Sequence, residues 1–536
     1  MGLLAREQEA LLKLLTEHDF MKRIIKTIIS MVLVLSVLAP FSTCFGASVK
    51  GDMDADGKIE LSDVREIMRL ASLMEIPTEE TILKADMDSD GAVTMEDVKS
   101  ALSEAVDIDP QWSLGKITQL TPTEKHSSST QVEFCKVKDY CGETFPSSPV
   151  NDKSNPLYSP LPKGTFDYVE SGPVKDSESG KKFYVLGSGR RIYADEVKVF
   201  TGYKMPNNKI QLRDPITYDA DSTKIYLALD WRVPFNVTIK PQSYEKGYDG
   251  REFNVKDGEF TGKYIDFTFE YTKSATGKLS FPESDAIKSC KWIIDSDNKT
   301  ATLRIYFRKQ GGFYGYSATY NKNNLLVISI KEPAQKLKGR TIEIDPGHGG
   351  NQPGAGSGTG VFESDITYKI ALRLKDYLEN AGATVIFSRD NGDSVPEIEE
   401  RRINAMKNDA DMFISIHLDS SSSKSVHGSS VYYYKNYSAP LAEAISKNLP
   451  KTLNNDLGYK MTDRGFHFYP FRVIRIENCP AVLVECGFIS NTYSFFTPAA
   501  DAKSQANCDF KLLNSSTGQK YVAKGIYKGI LEYFGI

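Results

Sequence analysis

The sequence predicts a multidomain protein with three folded parts. They are a C-terminal α/β domain with a mostly parallel sheet between helices, a central all-β region, and a small α-helical module near the N-terminus. Three observations carry this prediction. The 536 residues exceed what one hydrophobic core usually holds. An acidic, glycine-containing loop occurs twice between residues 51 and 109. Farther on, short aromatic period-two runs give way after residue 337 to apolar strands alternating with amphipathic helical stretches. The resulting boundaries are 1–47 for an N-terminal extension and signal peptide, 48–109 for the helical module, 110–165 for a linker, 166–337 for the β-rich region and 338–536 for the α/β domain. Composition is that of globular protein, 40% hydrophobic and 25% charged. A net charge of −4 and a pI of about 6.0 argue against a nucleic-acid partner.

The first segment reads as an export signal. Lys22, Arg23 and Lys26 form a basic stretch opening at Met21, followed by the apolar run from Ile28 to Phe41 and the small residues around Gly46-Ala47-Ser48. The apolar run is about fourteen residues, short of the roughly twenty a spanning helix needs, so no membrane span is expected once the signal is removed. The protein is accordingly expected to be secreted or extracellular. Seven cysteines across the chain make no disulfide framework, although Cys135 and Cys141 are close enough in sequence to pair.

The helical module follows from the repeated loop. The run from Asp52 to Ile59 recurs from Asp86 to Val93. Each copy places carboxylates at loop positions 1, 3 and 5 (Asp52, Asp54, Asp56; Asp86, Asp88, Asp90), glycine at 6, and a further carboxylate at 12 (Asp63; Asp97). Hard oxygen donors converging in this way suit Ca²⁺, and the glycine permits the sharp turn. The stripes Val64, Ile67, Met68 and Val98, Leu102 predict short EF-hand-like helices after each loop. Two such units with Asp at position 12 resemble a dockerin. That resemblance implies a cohesin-bearing scaffold protein as partner, although positions 10 and 11 (Leu61-Ser62 and Met95-Glu96) lack the Ser-Thr-type pair usual there.

The linker is expected from its Ser, Thr and Pro content, including Ser127 to Thr130 and the prolines between Pro146 and Pro162. The β-rich region rests on runs such as Lys224–Leu229, Tyr264–Phe269, Thr302–Phe307 and Leu325–Ile330, bounded by Gly, Asn and Asp. These predict one or two small sandwiches or barrels. In order and texture the region from about 210 to 335 resembles the β-modules that precede some cell-wall amidases. Aromatic strand residues are more often core than sugar-stacking surface.

The chemistry is predicted after residue 338. The strand Thr341–Ile344 runs into Asp345-Pro346-Gly347-His348-Gly349-Gly350, a turn that presents a histidine at a strand's C-terminal end. Glu363 precedes a helix with the apolar face Ile366, Ile370, Leu374, Leu378. Strands are expected at 384–387 and 412–416, the latter ending in His417. A strand-end histidine or a helix-start glutamate, taken singly, is usually structural. Together they make a His₂Glu set that leaves a fourth position on Zn²⁺ for water. Glu485, after the apolar run Pro480–Val484, is the candidate acid/base, its pKa raised by burial at a strand end.

These motifs, with Ser388-Arg389-Asp390, Ser415-Ile416-His417, Asp463-Arg464-Gly465 and Val484-Glu485-Cys486-Gly487-Phe488, resemble the zinc-dependent N-acetylmuramoyl-L-alanine amidases in order and spacing. The resemblance spans about 338–536. It implies His348, Glu363 and His417 as zinc ligands and Glu485 as the catalytic acid/base. It also implies peptidoglycan as substrate, cut between N-acetylmuramic acid and L-alanine. Arg464 is a candidate for a substrate carboxylate, since its planar fork suits that group. Leu418-Asp419 replaces the small residue and Asn that often follow the second histidine in this family. Residues 498–515 read as an insertion. The competing reading is a non-catalytic protein for calcium-dependent docking or cell-wall binding.

Overall fold

The structure is a computed structural model. It describes residues 50–101, 116–492 and 508–536, apart from stretches at 55–58, 60, 73–77, 88–90, 96, 99, 139–140, 146–157, 177–179, 219–220, 241–244, 247–251, 254–259, 334–335 and 390–393. The signal peptide expected before residue 48 lies outside the described residues. No helix among the described residues is long and apolar enough to cross a membrane. The chain divides into one unit of residues 1–112 and another of residues 113–536.

In the first unit the helix Leu61–Ala71 buries Val64, Ile67 and Leu70, three positions on one face, against Met53, Ala85, Val98 and Ala101. Met68, read from sequence as part of that stripe, is instead 43% exposed. It stands one residue past Ile67, about 100° around the helix and off the buried face. A second helix, Glu79–Ala85, starts at Thr78, whose hydroxyl accepts the amide of Thr81 while the Thr81 hydroxyl accepts the amide of Thr78.

In the second unit, residues 131–203 build a seven-stranded sheet that includes the strands Gln131–Val137, Cys141–Phe145 and Tyr158–Pro162. Three strands therefore fall within the expected linker at 110–165, in its described residues. Phe134 and Cys135 turn opposite ways from one strand, yet both are buried. Cys135 is a free thiol, which overturns the pairing suggested with Cys141. Residues 208–331 follow as a four-stranded, a five-stranded and a small two-stranded sheet among the described residues. Alternate residues of Thr300–Phe307 enter the core shared by the two larger sheets, with Phe235, Phe267 and Phe269 from neighbouring strands. The phenylalanines of these runs are core, as their type favours, whereas Tyr264 and Tyr306 are only half-buried.

Elements of the C-terminal region are numbered from its first strand. They are β1 (Thr341–Pro346), α1 (Glu363–Asn380), β2 (Thr384–Phe387), α2 (Ile398–Lys407), β3 (Met412–Asp419) and β4 (Ser429–Tyr433). After them come α3 (Ala439–Asp456), β5 (Asp463–Phe468), β6 (Ala481–Phe488), α4 (Asp509–Leu513) and α5 (Ser516–Phe534). The sheet order is β2-β1-β3-β6-β4-β5. The first four strands are parallel, β4 runs antiparallel to β6, and β5 parallels β4. Five of the six residues of β1 are buried, as a strand covered on both faces requires. Ile366, Ile370, Leu374 and Leu378 of α1, and Val522, Ile526 and Ile530 of α5, are fully buried along single helix faces. Because β1, β3 and β6 are adjacent and parallel, their C-terminal ends meet at one edge of the sheet.

Candidate metal centre and active site

That edge collects the predicted chemistry. His348 lies two residues past β1, Glu363 opens α1, and His417 lies within the last turn of pleat of β3. Nδ1 of His417 is 2.9 Å from Oε1 of Glu363, and Nε2 of His348 is 3.3 Å from Oε2 of the same carboxylate. One donor atom from each of the three side chains lies within 4.8 Å of the others. The carboxylate is fixed from behind, its Oε1 accepting the amide of Leu418 and its Oε2 that of Ala355. Two glycines keep the approach open. A Cβ on Gly347 would stand 2.5 Å from the His417 ring, and one on Gly354 would stand 2.6 Å from both Glu363 Oε2 and His348 Cδ2.

The electrostatics separate two glutamates. Burial alone would raise the Glu363 carboxyl, but the His417 hydrogen bond and both imidazoles outweigh it and hold it below the usual carboxylate range. Burial lowers His348. It would lower His417 as well, were that ring not raised by its bond to Glu363. Glu485 on β6 pairs in register with His417 on β3. Burial pushes its carboxyl up to about 8; His417 opposes the shift, and Glu363 and Asp419 add to it. Its Oε2 has no hydrogen-bond partner among the described residues. A carboxyl held near neutrality with an open oxygen suits proton transfer.

Sequence reasoning missed the scaffold behind the histidines. Asp345, fully buried at the end of β1, accepts the hydroxyls of Ser388 and Ser415 and pairs with Arg401 of α2 at 2.6 Å. Burial would raise its carboxyl, but Arg401 and the two serines hold it low. Arg389 donates to the carbonyls of Pro346 and Ser364. Asp345, Ser388 and Ser415 sat within motifs already quoted, whereas no pattern marked Arg401, because an arginine in a charged helix reads as solvated.

The remaining candidates fall elsewhere. Arg464 is the second residue of β5, with its guanidinium 5.2 Å from the centre of the Phe488 ring, and its charge bears on Asp419. Nε2 of His467 is 2.8 Å from the Arg464 carbonyl. His427 is exposed and bonded to the Ser425 carbonyl, and His126 to that of Thr121. In the first unit, Asp52, Asp54 and Asp63 bring donor atoms within 4.8 Å of one another. Asp63 also accepts the amide of Met53. In the second loop, Asp86 accepts the Gly91 amide and Asp97 those of Met87 and Thr94. Asp56, Asp88 and Asp90 lie outside the described residues.

Comparison with known proteins places the C-terminal region. The family model described as N-acetylmuramoyl-L-alanine amidase matches residues 342–532. The chain is 37% identical over 252 residues to the probable cell wall amidase LytH of Staphylococcus saprophyticus, covering 46% of this chain and 72% of that protein. It is 34% identical over 223 residues to the N-acetylmuramoyl-L-alanine amidase LytC of Bacillus subtilis, covering 40% of this chain and 41% of LytC. Among solved structures, the catalytic domain of the amidase CwlV from Bacillus (Paenibacillus) polymyxa var. colistinus matches 37% of this chain and 99% of its own, with 30% identity and a TM-score of 0.31.

Proposed function

This chain belongs to the N-acetylmuramoyl-L-alanine amidase family, and from that premise we propose how its own residues carry the reaction. It is a peptidoglycan amidase acting on the bond between N-acetylmuramic acid and L-alanine. His348, Glu363 and His417 hold Zn²⁺, a reading supported by two imidazoles and a low-pKa carboxylate converging around space that a Cβ on Gly347 or Gly354 would fill. When bound, Zn²⁺ supplies Lewis acidity toward the scissile carbonyl and a water acidic enough to attack near neutral pH. Glu485 takes the proton from the attacking water. As the lactoyl C–N bond breaks, the same carboxyl delivers that proton to the departing L-alanine nitrogen. The products are a lactoyl carboxylate on the sugar and a free L-alanine amino group. Glu363 and Glu485 divide the work because their surroundings push their pKa values apart.

The observation that carries this reading is the placement of Glu485 beside His417, in register on the adjacent strand. Its test is a digest of purified peptidoglycan by the full chain, with zinc, with a chelator, and as Glu485→Gln. Newly freed L-alanine amino groups, without new reducing sugar ends, are expected from the zinc-loaded protein. They should disappear with chelator and fall by on the order of 10²- to 10⁴-fold in the variant. Intact peptidoglycan after exposure to a folded, zinc-loaded wild type would overturn the mechanism.

The remaining features fit an exported wall enzyme. The basic-apolar-small order at 21–48 supports secretion, and Arg464 is assigned to a substrate carboxylate. The cluster Asp52, Asp54, Asp63 supports a Ca²⁺ site in a dockerin-like module, with a cohesin-bearing scaffold as its partner. Thermal melting of the full chain with Ca²⁺ and with chelator checks that site. Calcium should raise the transition of the first unit, and Asp63→Ala should abolish the rise; a calcium-independent melt would remove the assignment.

A further inference from the structure

We propose that Arg401 is a positioning residue for the metal centre. Its guanidinium holds His348 in the backbone conformation from which the imidazole meets Glu363. The proposal rests on the zinc reading above. His348 has φ of +60°, in the left-handed region that residues other than glycine seldom occupy. Such a conformation persists where surrounding groups enforce it, and Arg401 is placed to do so.

The arginine is 6% exposed on α2. Nη2 donates to the His348 carbonyl at 3.2 Å. Nη1 donates to the Pro346 carbonyl at 3.2 Å and to Asp345 Oδ1 at 2.6 Å. One rigid plane therefore grips the chain on both sides of Gly347, where the backbone leaves β1 and reverses. Asp345 is itself tied to Ser388 and Ser415, so the grip is referenced to the sheet that also carries His417. Lysine keeps the charge opposite Asp345 but is a compact point charge that cannot set two carbonyls and a carboxylate in fixed relation. Glu363 has its own anchors in the amides of Leu418 and Ala355, so losing the grip frees chiefly the His348 arm.

The test compares Arg401→Lys with Arg402→Lys in the full chain. Arg402 is its neighbour on α2, 2% exposed, and donates to the Arg475 carbonyl rather than to the histidine loop. Zinc affinity is read by competition with a chromophoric chelator, beside the melting temperature. Arg401→Lys is expected to bind zinc about 10- to 100-fold more weakly, as the loss of groups behind a ligand generally does. Arg402→Lys should keep wild-type affinity whatever it loses in melting temperature. Wild-type zinc affinity in Arg401→Lys, or equal weakening in both variants, overturns the proposal. Should Arg401→Lys fail to fold, Asp345→Asn with Arg401→Gln removes both buried charges together. The same weakening is expected there, and wild-type affinity again overturns it. A wild-type chain that competes for no zinc overturns the zinc reading and the proposal with it, whereas tight wild-type binding matched by Arg401→Lys overturns the proposal alone.

Discussion

Glu343 and Asp345 stand two residues apart on β1 and so point to the same side of the sheet, toward α2, where Arg401 pairs with only one of them. Glu343 is fully buried, and among the described residues neither of its oxygens makes a well-formed hydrogen bond. Burial pushes its carboxyl from the ordinary 4.5 up to about 9, with Asn404 and Arg401 opposing the shift and Asp345 adding to it. The folded state therefore prefers the protonated acid. Its stabilising contribution is complete below about pH 4.5, shrinks as the unfolded chain ionises, and is lost as pH rises through about 9. Glu343→Gln keeps the shape and cannot ionise. Its melting temperature should exceed wild type at pH 8 and match it near pH 4.5; a difference that stays flat with pH would show that Glu343 is charged in the fold. The histidines and Glu363 were legible in sequence because strand ends and helix starts can be read from apolar periodicity. Glu343 sat unnoticed inside an apolar strand, and Arg401 inside a charged helix. Their roles depend on which face of the sheet α2 covers, and that is set by packing between segments distant in sequence.

At the scale of elements, α3 and α5 lie against one another with almost no space between backbones. A Cβ on Gly529 would stand 2.6 Å from Ile445 Cα, and one on Gly525 would stand 2.7 Å from Leu449 Cα. Two effects compete in Gly529→Ala. Alanine is favoured over glycine inside a helix by about 1 kcal/mol. Against that, overpacking a tight contact costs about 1–3 kcal/mol, and here the clash is with backbone, which cannot rotate away. The clash should win, and the melting temperature should fall. A rise would mean that the two helices separate easily. The parallel strands and helices of the C-terminal region were readable in sequence because each is long enough for its period to show. The strands at 131–137, 141–145 and 158–162 were not. They are short and surrounded by Ser and Pro, and they gain their apolar partners from strands many residues away. Phe134 faces Phe200 across such a pair.

For the second unit as a whole, the β-rich region seals the end of the α/β sheet opposite the candidate site. Lys331, the last residue of its final strand, is 4% exposed. Its ammonium meets the Asp409 carbonyl at 2.6 Å and the Asp411 carboxylate at 3.1 Å, just before β3 begins. Gly315 passes so close to Asn478, before β6, that a Cβ would stand 2.1 Å from its carbonyl oxygen. Tyr437, before α3, is buried in the core of the β-sheets with Phe313. Among the described residues, these contacts join the two parts at the end of the sheet away from His348 and His417. Removing one partner of a buried pair costs about 3–5 kcal/mol when the other charge is left uncompensated. Here the cost is smaller, because Asp411 keeps the Arg340 guanidinium at 3.4 Å and the Thr341 amide at 2.9 Å. Lys331→Ala should therefore destabilise the α/β region, though the lysine belongs to another part of the chain and lies at the far end of the sheet from the metal ligands. Thermal unfolding followed by tryptophan fluorescence in a Trp112→Phe background checks this, because the two remaining tryptophans, Trp231 and Trp292, both pack in the core of the β-sheets, while loss of peptidoglycan amidase activity reports the α/β region. Both transitions should fall together in Lys331→Ala. If activity were lost at the wild-type temperature while fluorescence alone shifted, the two parts would be independent domains, and the β-rich region would act only as a spacer.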